Sequence, residues 1–199
     1  MAIKFQYNKT ALQSLDKQLK VRVRALPTIK NKESALRVEV KKARIVAEDF
    51  DKKLVDVINA QEKELALWNE YSGNILSISN VELGIKKIAG VKVPILNNID
   101  FDIADFSMFN SPQWFLDGIE ELKKLVEIAI EREVFIRKME LLNKARKKTT
   151  QKVNLYEKVQ IPGYENAILK IKRFLEDSEN LSKSSQKIVK TRKLMEDMS

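Results

Sequence analysis

From Leu36 onward the apolar residues fall at Leu36, Val40, Ala43, Ala47, Phe50, Leu54 and Val57. Steps of four and three alternate, which is the seven-residue repeat of a helix whose apolar seam faces a second helix. Leu12, Leu15, Leu19, Val23 and Leu26 carry a similar stripe upstream, and Ile58, Leu65, Trp68 and Ile75 extend it downstream. The pattern predicts one long helix over residues 3–75, interrupted at most near Pro27. A seam of this length needs a partner of matching length, and that requirement restricts the fold more than any other feature of the chain.

The second half supplies the partner. Phe115, Ile119, Leu122, Val126 and Ala129 form one stripe, and Phe135, Met139, Leu142, Ala145, Thr149, Val153 and Tyr156 continue it. Ser111 and Pro112 make a start signal: a capping hydroxyl, then a proline at the first helical position, where its missing N–H is harmless. Pro162 and Gly163 stand inside this half, and an interior proline costs about 3 kcal/mol. Yet the stripe resumes at once with Tyr164, Ile168, Ile171, Leu175 and Ser178. The expectation is therefore a helix over residues 112–199 with a kink near 162–163. At 1.5 Å per residue such a helix is on the order of 110 to 130 Å long, so a rod is expected.

Between the two helices, residues 76–111 read as a small head. In VKVPILNNIDFDI, Val91, Val93 and Ile95 alternate with other residues, as do Ile99, Phe101 and Ile103. Period two on either side of Asn97-Asn98 predicts a β-hairpin over about 91–104 with a two-residue turn at the asparagines. Pro94 would lie on an edge strand. The fold class is thus mainly α: a long antiparallel two-helix coiled coil with a small β-hairpin-containing head. Placing Ile75 opposite Phe115 makes opposed residue numbers sum to about 190, which sets Pro27 level with Pro162 and Gly163.

Composition narrows the function. The chain has no cysteine and no histidine, which excludes disulfides, thiolate metal sites, cysteine nucleophiles and every Ser-His-acid triad. No run of eighteen apolar residues occurs, and the N-terminus lacks the apolar core and cleavage site of a signal peptide. A cytoplasmic protein is expected, peripheral to a membrane if part of a membrane-bound complex. The net charge of +9 is uneven: residues 1–50 hold 12 basic and 5 acidic side chains, and residues 151–199 hold 10 and 7. Antiparallel helices bring both basic ends to one end of the rod.

Candidate sites dissolve on inspection. Asp100 and Asp102 alternate with Ile99, Phe101 and Ile103 as the solvent face of a strand, and with Asp105 they lack calcium-loop spacing. AGVKVP is not a phosphate loop, because GK[ST] is missing. Glu120 and Glu121 point to different faces of a helix. Trp68, Tyr71 and Trp114 fall where the helices meet the head, as packing residues. No catalytic constellation, metal site or cofactor site is expected.

The stretch KKTTQKVNLYEKVQIPGYENAILKIKRFLEDSE, residues 147–179, resembles the most recognisable segment of the D-subunit family of V/A-type rotary ATPases. The matching positions are Lys147, Lys148, Thr149, Thr150, Val153, Asn154, Leu155, Glu157, Ile161 and Pro162. GVKVP at 90–94 is similar to the family's hydrophobic head segment. YNKTALQSLDKQLKVRVRALPTIKNKESAL is similar to its opening. The resemblance covers almost the whole chain in order.

The resemblance implies a non-catalytic central-stalk rotor. Its terminal helices would enter the bore of a hexamer of catalytic A and regulatory B subunits. Its lower part would bind the F subunit and stand on the C or d subunit that caps the membrane ring. Torque would pass along it between ATP hydrolysis or synthesis and proton or sodium translocation, with no nucleotide or ion bound to the shaft and no membrane insertion. On that basis Arg22, Arg24, Lys30, Lys32, Arg37, Lys170, Lys172 and Arg173 are candidate contacts to the bore. Arg146, Lys147, Lys148, Phe50 and Leu54 are candidate contacts to the other stalk subunits, and Pro27, Pro162 and Gly163 are the candidate kink. A basic elongated coiled coil could instead bind nucleic acid or an anionic membrane surface. Interspersed acidic residues and the lack of an aromatic-arginine cluster count against nucleic acid.

Overall fold

The computed structural model describes residues 3–60, 76–105 and 114–196. Helix α1 runs Lys9–Ala60, strand β1 Leu76–Ile88, strand β2 Val91–Ile103 and helix α2 Phe115–Asn154. A π-helical turn, Leu155–Gln160, follows, and α3 runs Ile161–Glu196. The expected helical residues 61–75, with Trp68 and Tyr71, and the Ser111-Pro112 start signal lie outside the described residues. The chain divides into two compact units: residues 1–31 with 149–199, and residues 32–148.

In the first unit the opening of α1 packs antiparallel against α3. Leu15, Tyr164, Ala167 and Ile171 form a buried cluster, bordered by Leu12, Leu19, Ile168 and Leu175. The helix begins at Lys9, six residues later than expected, because Asn8 caps it: its Oδ1 accepts the Ala11 N–H at 2.6 Å. Residues 3–8 instead fold back over α3. Ile3 and Phe5 join the buried cluster, and Tyr7 lies against Phe174 with ring centroids 4.9 Å apart.

The opposition in this unit corrects the expected register. Tyr164 Oη donates to Gln18 at 2.7 Å, Arg22 Nε to Gln160 at 2.8 Å, and Lys30 Nζ to Glu157 at 2.7 Å. Pro27, between Arg22 and Lys30, is therefore level with the π turn, and Pro162-Gly163 is not opposite it. Each helix breaker has its own explanation. Pro27 sits within α1 without ending it. A Cβ on Gly163 would come within 3.2 Å of Ile3 Cδ1, so the glycine accommodates the folded-back N-terminus.

The π turn explains Pro162. Its last N–H, that of Ile161, reaches back five residues to the Tyr156 carbonyl, so the turn holds one residue more than an α turn. The half-buried and buried positions show why. Thr149, Val153, Tyr156 and Gln160 follow the four-three rule, which would next bury position 163. Tyr164 is buried instead, followed by Ala167 and Ile171. One residue is in excess of the repeat, and a π turn absorbs one residue. The widened turn lies immediately before Pro162, where an α turn would press its carbonyl on the proline ring.

In the second unit α1 and α2 pack antiparallel with the hairpin laid along them. Leu36, Ala43, Val93 and Leu142 are buried together, and Ile88, Ala89 and Val91 of the hairpin tip pack on them. At the other end of the hairpin, Leu76 and Trp114 pack on Phe115 and Ile119. The hairpin's position differs from the expectation in register: β1 pairs antiparallel with β2 from Leu76↔Ile103 to Ile88↔Val91. Both period-two runs, on either side of the asparagines, belong to β2, and the turn is Ala89-Gly90. Asn97, between the two runs, is an extra residue of β2 with no partner on β1: Asn98 pairs with Glu82 and Leu96 with Leu83. Asn97 makes no turn; its side chain lies across Gly84, where a Cβ would come within 2.7 Å of Oδ1. Strand β1 does not show period two throughout: Ser79 is an extra residue between Ile78 and Asn80, and the apolar positions change parity from Leu76 and Ile78 to Val81, Leu83 and Ile85.

Ala89 and Gly90 both have positive φ, 48° and 79°, as a two-residue hairpin turn of the right twist demands. Alanine is tolerated because its methyl packs on the core formed around Leu36 and Leu142. Gly90 has no such compensation. Gly90→Ala should destabilise the chain by about 1–2 kcal/mol, read as a shift in the denaturation midpoint.

Candidate interaction surface

The sequence-predicted residues divide between the two units. In the first, Arg22 is half-buried. Its guanidinium lies 4.5 Å from the Tyr164 ring centroid, and it donates to Gln160 and to the Gln18 carbonyl. Arg22 therefore joins α1 to α3 at the π turn. Lys30 is exposed and ion-paired with Glu157. Arg24, Lys170, Lys172 and Arg173 are exposed. Of the kink residues, Pro27 is exposed, whereas Pro162 and Gly163 are half-buried.

Every residue from 176 to 195 is exposed. Phe174, Leu181 and Ile188 stand seven residues apart on this part of α3 and are 49%, 70% and 55% exposed. The repeat thus persists where the buried intramolecular seam has ended. Lys183 bonds Glu179 here at 2.8 Å, and that bond and the lysine's charge hold the carboxyl below its ordinary range. The pair supports the helix above that range and is lost as pH falls through the lowered value.

In the second unit, Phe50 stacks on Phe135 with centroids 5.5 Å apart, and Lys53 and Lys138 each sit 5.0 Å from one of the two rings. An Asp51–Arg132 ion pair joins the same two helices beside them. Phe50 and Phe135 both lie on the predicted stripes, and the two lysines and the Asp51–Arg132 pair complete a clasp between α1 and α2. Arg146 is roughly three helical turns along α2 from Phe135, so the structure does not gather Phe50 and Arg146 into one patch. Leu54 is half-buried, and Lys32, Lys147 and Lys148 are exposed.

Arg37 and Arg146 do come together. They border a groove of about 670 Å³ between α1 and α2, together with Lys41, Arg44, Glu48 and Asp51. Val40, Ala47, Ile136 and Met139 supply its apolar lining. The sequence signal was present: Arg37, Lys41, Arg44 and Glu48 flank the seam at three- and four-residue steps. A smaller gap of about 210 Å³ lies where Pro94, Ile95 and Leu96 meet Glu131, Val134 and Phe135. Ile78, Leu83 and Ile85 leave an exposed apolar stretch on β1. Among the described residues no group of acidic side chains is placed to hold a metal ion.

The features a partner would meet are grooves and helix faces along a two-helix scaffold, which defines a coiled-coil interaction protein. A family model for the D subunit of ATP synthase matches residues 11–191, and the chain belongs to that family. It is 30% identical over 196 residues to the D subunit of the V-type ATP synthase of Borreliella burgdorferi, covering 94% of both chains. It is 28% identical over 186 residues to the protein of the same name from Chlamydia pneumoniae, covering 89% of this chain and 87% of that one.

Proposed function

We propose that the chain is the non-catalytic central-stalk rotor subunit of a V-type ATP synthase, transmitting torque between a catalytic hexamer and an ion-translocating membrane ring. The observation that carries this reading is the distal part of α3. Twenty consecutive exposed residues with an apolar heptad stripe are poorly suited to isolation, because helices owe most of their stability to packing of an apolar face. Such a helix fits a bore that surrounds it. Arg24, Lys170, Lys172 and Arg173 would meet the catalytic A and regulatory B subunits by long-range electrostatics. The second unit, with Arg146, Lys147 and Lys148, would meet the F subunit and the C or d subunit above the ring. The protein would act at the cytoplasmic face of the membrane as a peripheral component. In keeping with this, no helix among the described residues is long and apolar enough to cross a bilayer.

Binding to nucleic acid is the weaker reading. The basic residues of α1 are interleaved with acids in short-range pairs, Lys20–Asp16, Arg37–Glu33 and Arg44–Glu48, which break up a phosphate-binding stripe.

Reconstitution tests the proposal. The chain should join a hexamer of A and B subunits in a complex stable to gel filtration and raise its sustained ATP hydrolysis. Truncation after Leu175 should abolish that incorporation without unfolding the remaining chain. Full incorporation of the truncated chain would contradict the reading.

A further inference from the structure

The buried cluster of the first unit ends at Ile171, with Leu175 on its border, yet the four-three spacing of α3 continues beyond it. It runs through Phe174, Ser178, Leu181, Ser185, Ile188 and Arg192. Phe174 stays half exposed although Tyr7 lies against it, and the others are exposed. Large apolar residues alternate here with serines and an arginine. Such a stripe is filled best by a facing helix whose large residues fall opposite the serines. An antiparallel copy of the same segment meets that need. Aligning Ser178 with Ile188 of the second copy sets Leu181 opposite its Ser185, and Phe174 opposite its Arg192, a cation for the ring face.

The charges select the same direction. Residues 176–182 hold the acids Glu176, Asp177 and Glu179 and no base, whereas residues 183–193 hold Lys183, Lys187, Lys190, Arg192 and Lys193 and no acid. Parallel copies would set acid beside acid and base beside base. Antiparallel copies set each acidic stretch beside the other's basic stretch. The alignment that matches the serines also brings Glu179 level with Lys187 of the second copy, and Glu176 level with its Lys190. Two independent patterns, size and charge, thus agree on one partner.

We propose that this part of α3 is a self-association surface: two free chains pair antiparallel through residues 174–192, each covering the other's Phe174, Leu181 and Ile188. The paired length is roughly 27 Å. With a large apolar residue at only every second position, it buries too little to be permanent, so the dimer is dissociable. It covers the apolar stripe of the free chain until a larger partner takes the helix. A bore that encloses one α1–α3 pair has no room for a second copy, so dimer and assembled state exclude each other. That consequence, unlike the dimer itself, rests on the reading of the chain as a rotor subunit.

Sedimentation of the full chain tests the proposal. It should be a monomer–dimer mixture over roughly 1–100 μM, and Leu181→Glu with Ile188→Glu should leave only monomer. Both positions are more than half exposed, so the denaturation midpoint should not move. A chain with Glu176→Lys, Asp177→Lys and Glu179→Lys should dimerise about tenfold more weakly or worse. So should one with Lys187→Glu, Lys190→Glu and Lys193→Glu, and mixing the two variants should restore pairing. The lack of native cysteine lets single spin labels read the direction. Label-to-label distances across the dimer should be short for Ser184→Cys and about 15 Å longer for Thr191→Cys. Equal distances, the mark of a parallel pair, overturn the proposal. So does a chain that is monomeric throughout that range, or a dimer that survives Leu181→Glu with Ile188→Glu. Adding a hexamer of A and B subunits should dissolve the dimer. A dimer that never yields to the hexamer sinks the rotor reading and leaves the self-association standing. A chain that enters the hexamer but never dimerises when free does the reverse.

Discussion

Deleting Val159 from the π turn should destabilise the chain by about 3 kcal/mol, and adding Pro162→Ala to the deletion should restore most of the loss. The deletion removes the one residue in excess of the heptad repeat, so Tyr164, Ala167 and Ile171 can stay in their cluster with Leu15 while residues 155–160 close into an α turn. Pro162 then faces a carbonyl one turn back with no room for its ring and no N–H to offer. Alanine removes both problems. Pro162→Ala alone should change stability by less than about 1 kcal/mol, because the extra residue, not the proline, demands the π turn. Deleting Glu165 instead is the control. It leaves Pro162 in its widened turn but rotates Ala167 and Ile171 out of the cluster, so Pro162→Ala should not rescue it. Chemical denaturation of the variants measures the coupling directly. Additive effects of the Val159 deletion and Pro162→Ala would mean that the π turn does not answer a skip in the repeat.

Leu142→Ala should be the most damaging single truncation in the second unit, at about 2–5 kcal/mol. Leu142 is fully buried and packs with Leu36 and Val93, so its loss opens a cavity bordered by both helices and the hairpin. The effect should reach the strands: amides of β2 around Val93 should exchange faster with solvent than in the parent. Leu36→Ala should behave alike, and the double variant should fall short of the sum because both truncations open one cavity. Leu169→Ala, at a position 47% exposed, should shift stability by less than about 0.5 kcal/mol. A Leu142→Ala loss equally small would show that the hairpin does not seal this core.

The helices were legible because an apolar seam repeats its message every seven residues, and the residues buried in α1, Leu15, Leu36, Ala43 and Ala47, all lie on the predicted stripe. The hairpin was legible as a change of period but not in its pairing. β2 announced itself by two alternating runs, whereas in β1 the extra residue Ser79 switches the parity of the apolar positions from Leu76 and Ile78 to Val81, Leu83 and Ile85. The turn was hidden as well, because Ala89 holds a positive φ through its tertiary packing and not through its own preference. Proline and glycine drew attention to residues 162 and 163, yet the feature beside them is a one-residue surplus in the count of buried positions. That surplus depends on knowing which of Gly163 and Tyr164 is buried. The interaction surface was legible only in part. Its cations are visible in the sequence, but the groove between Arg37 and Arg146 exists only when two helices distant in sequence lie side by side, and Arg22 looked like a surface charge until Tyr164 lay beneath it.

Attaching a bead to the chain within an immobilised complex tests the account most directly. With Lys87→Cys, exposed on β1, as the single thiol and the hexamer fixed to glass, ATP should drive sustained rotation of the bead in one direction, with pauses at three equivalent angles. A bead that stays still while the same complexes hydrolyse ATP at full rate would contradict the assignment of this chain to the rotor.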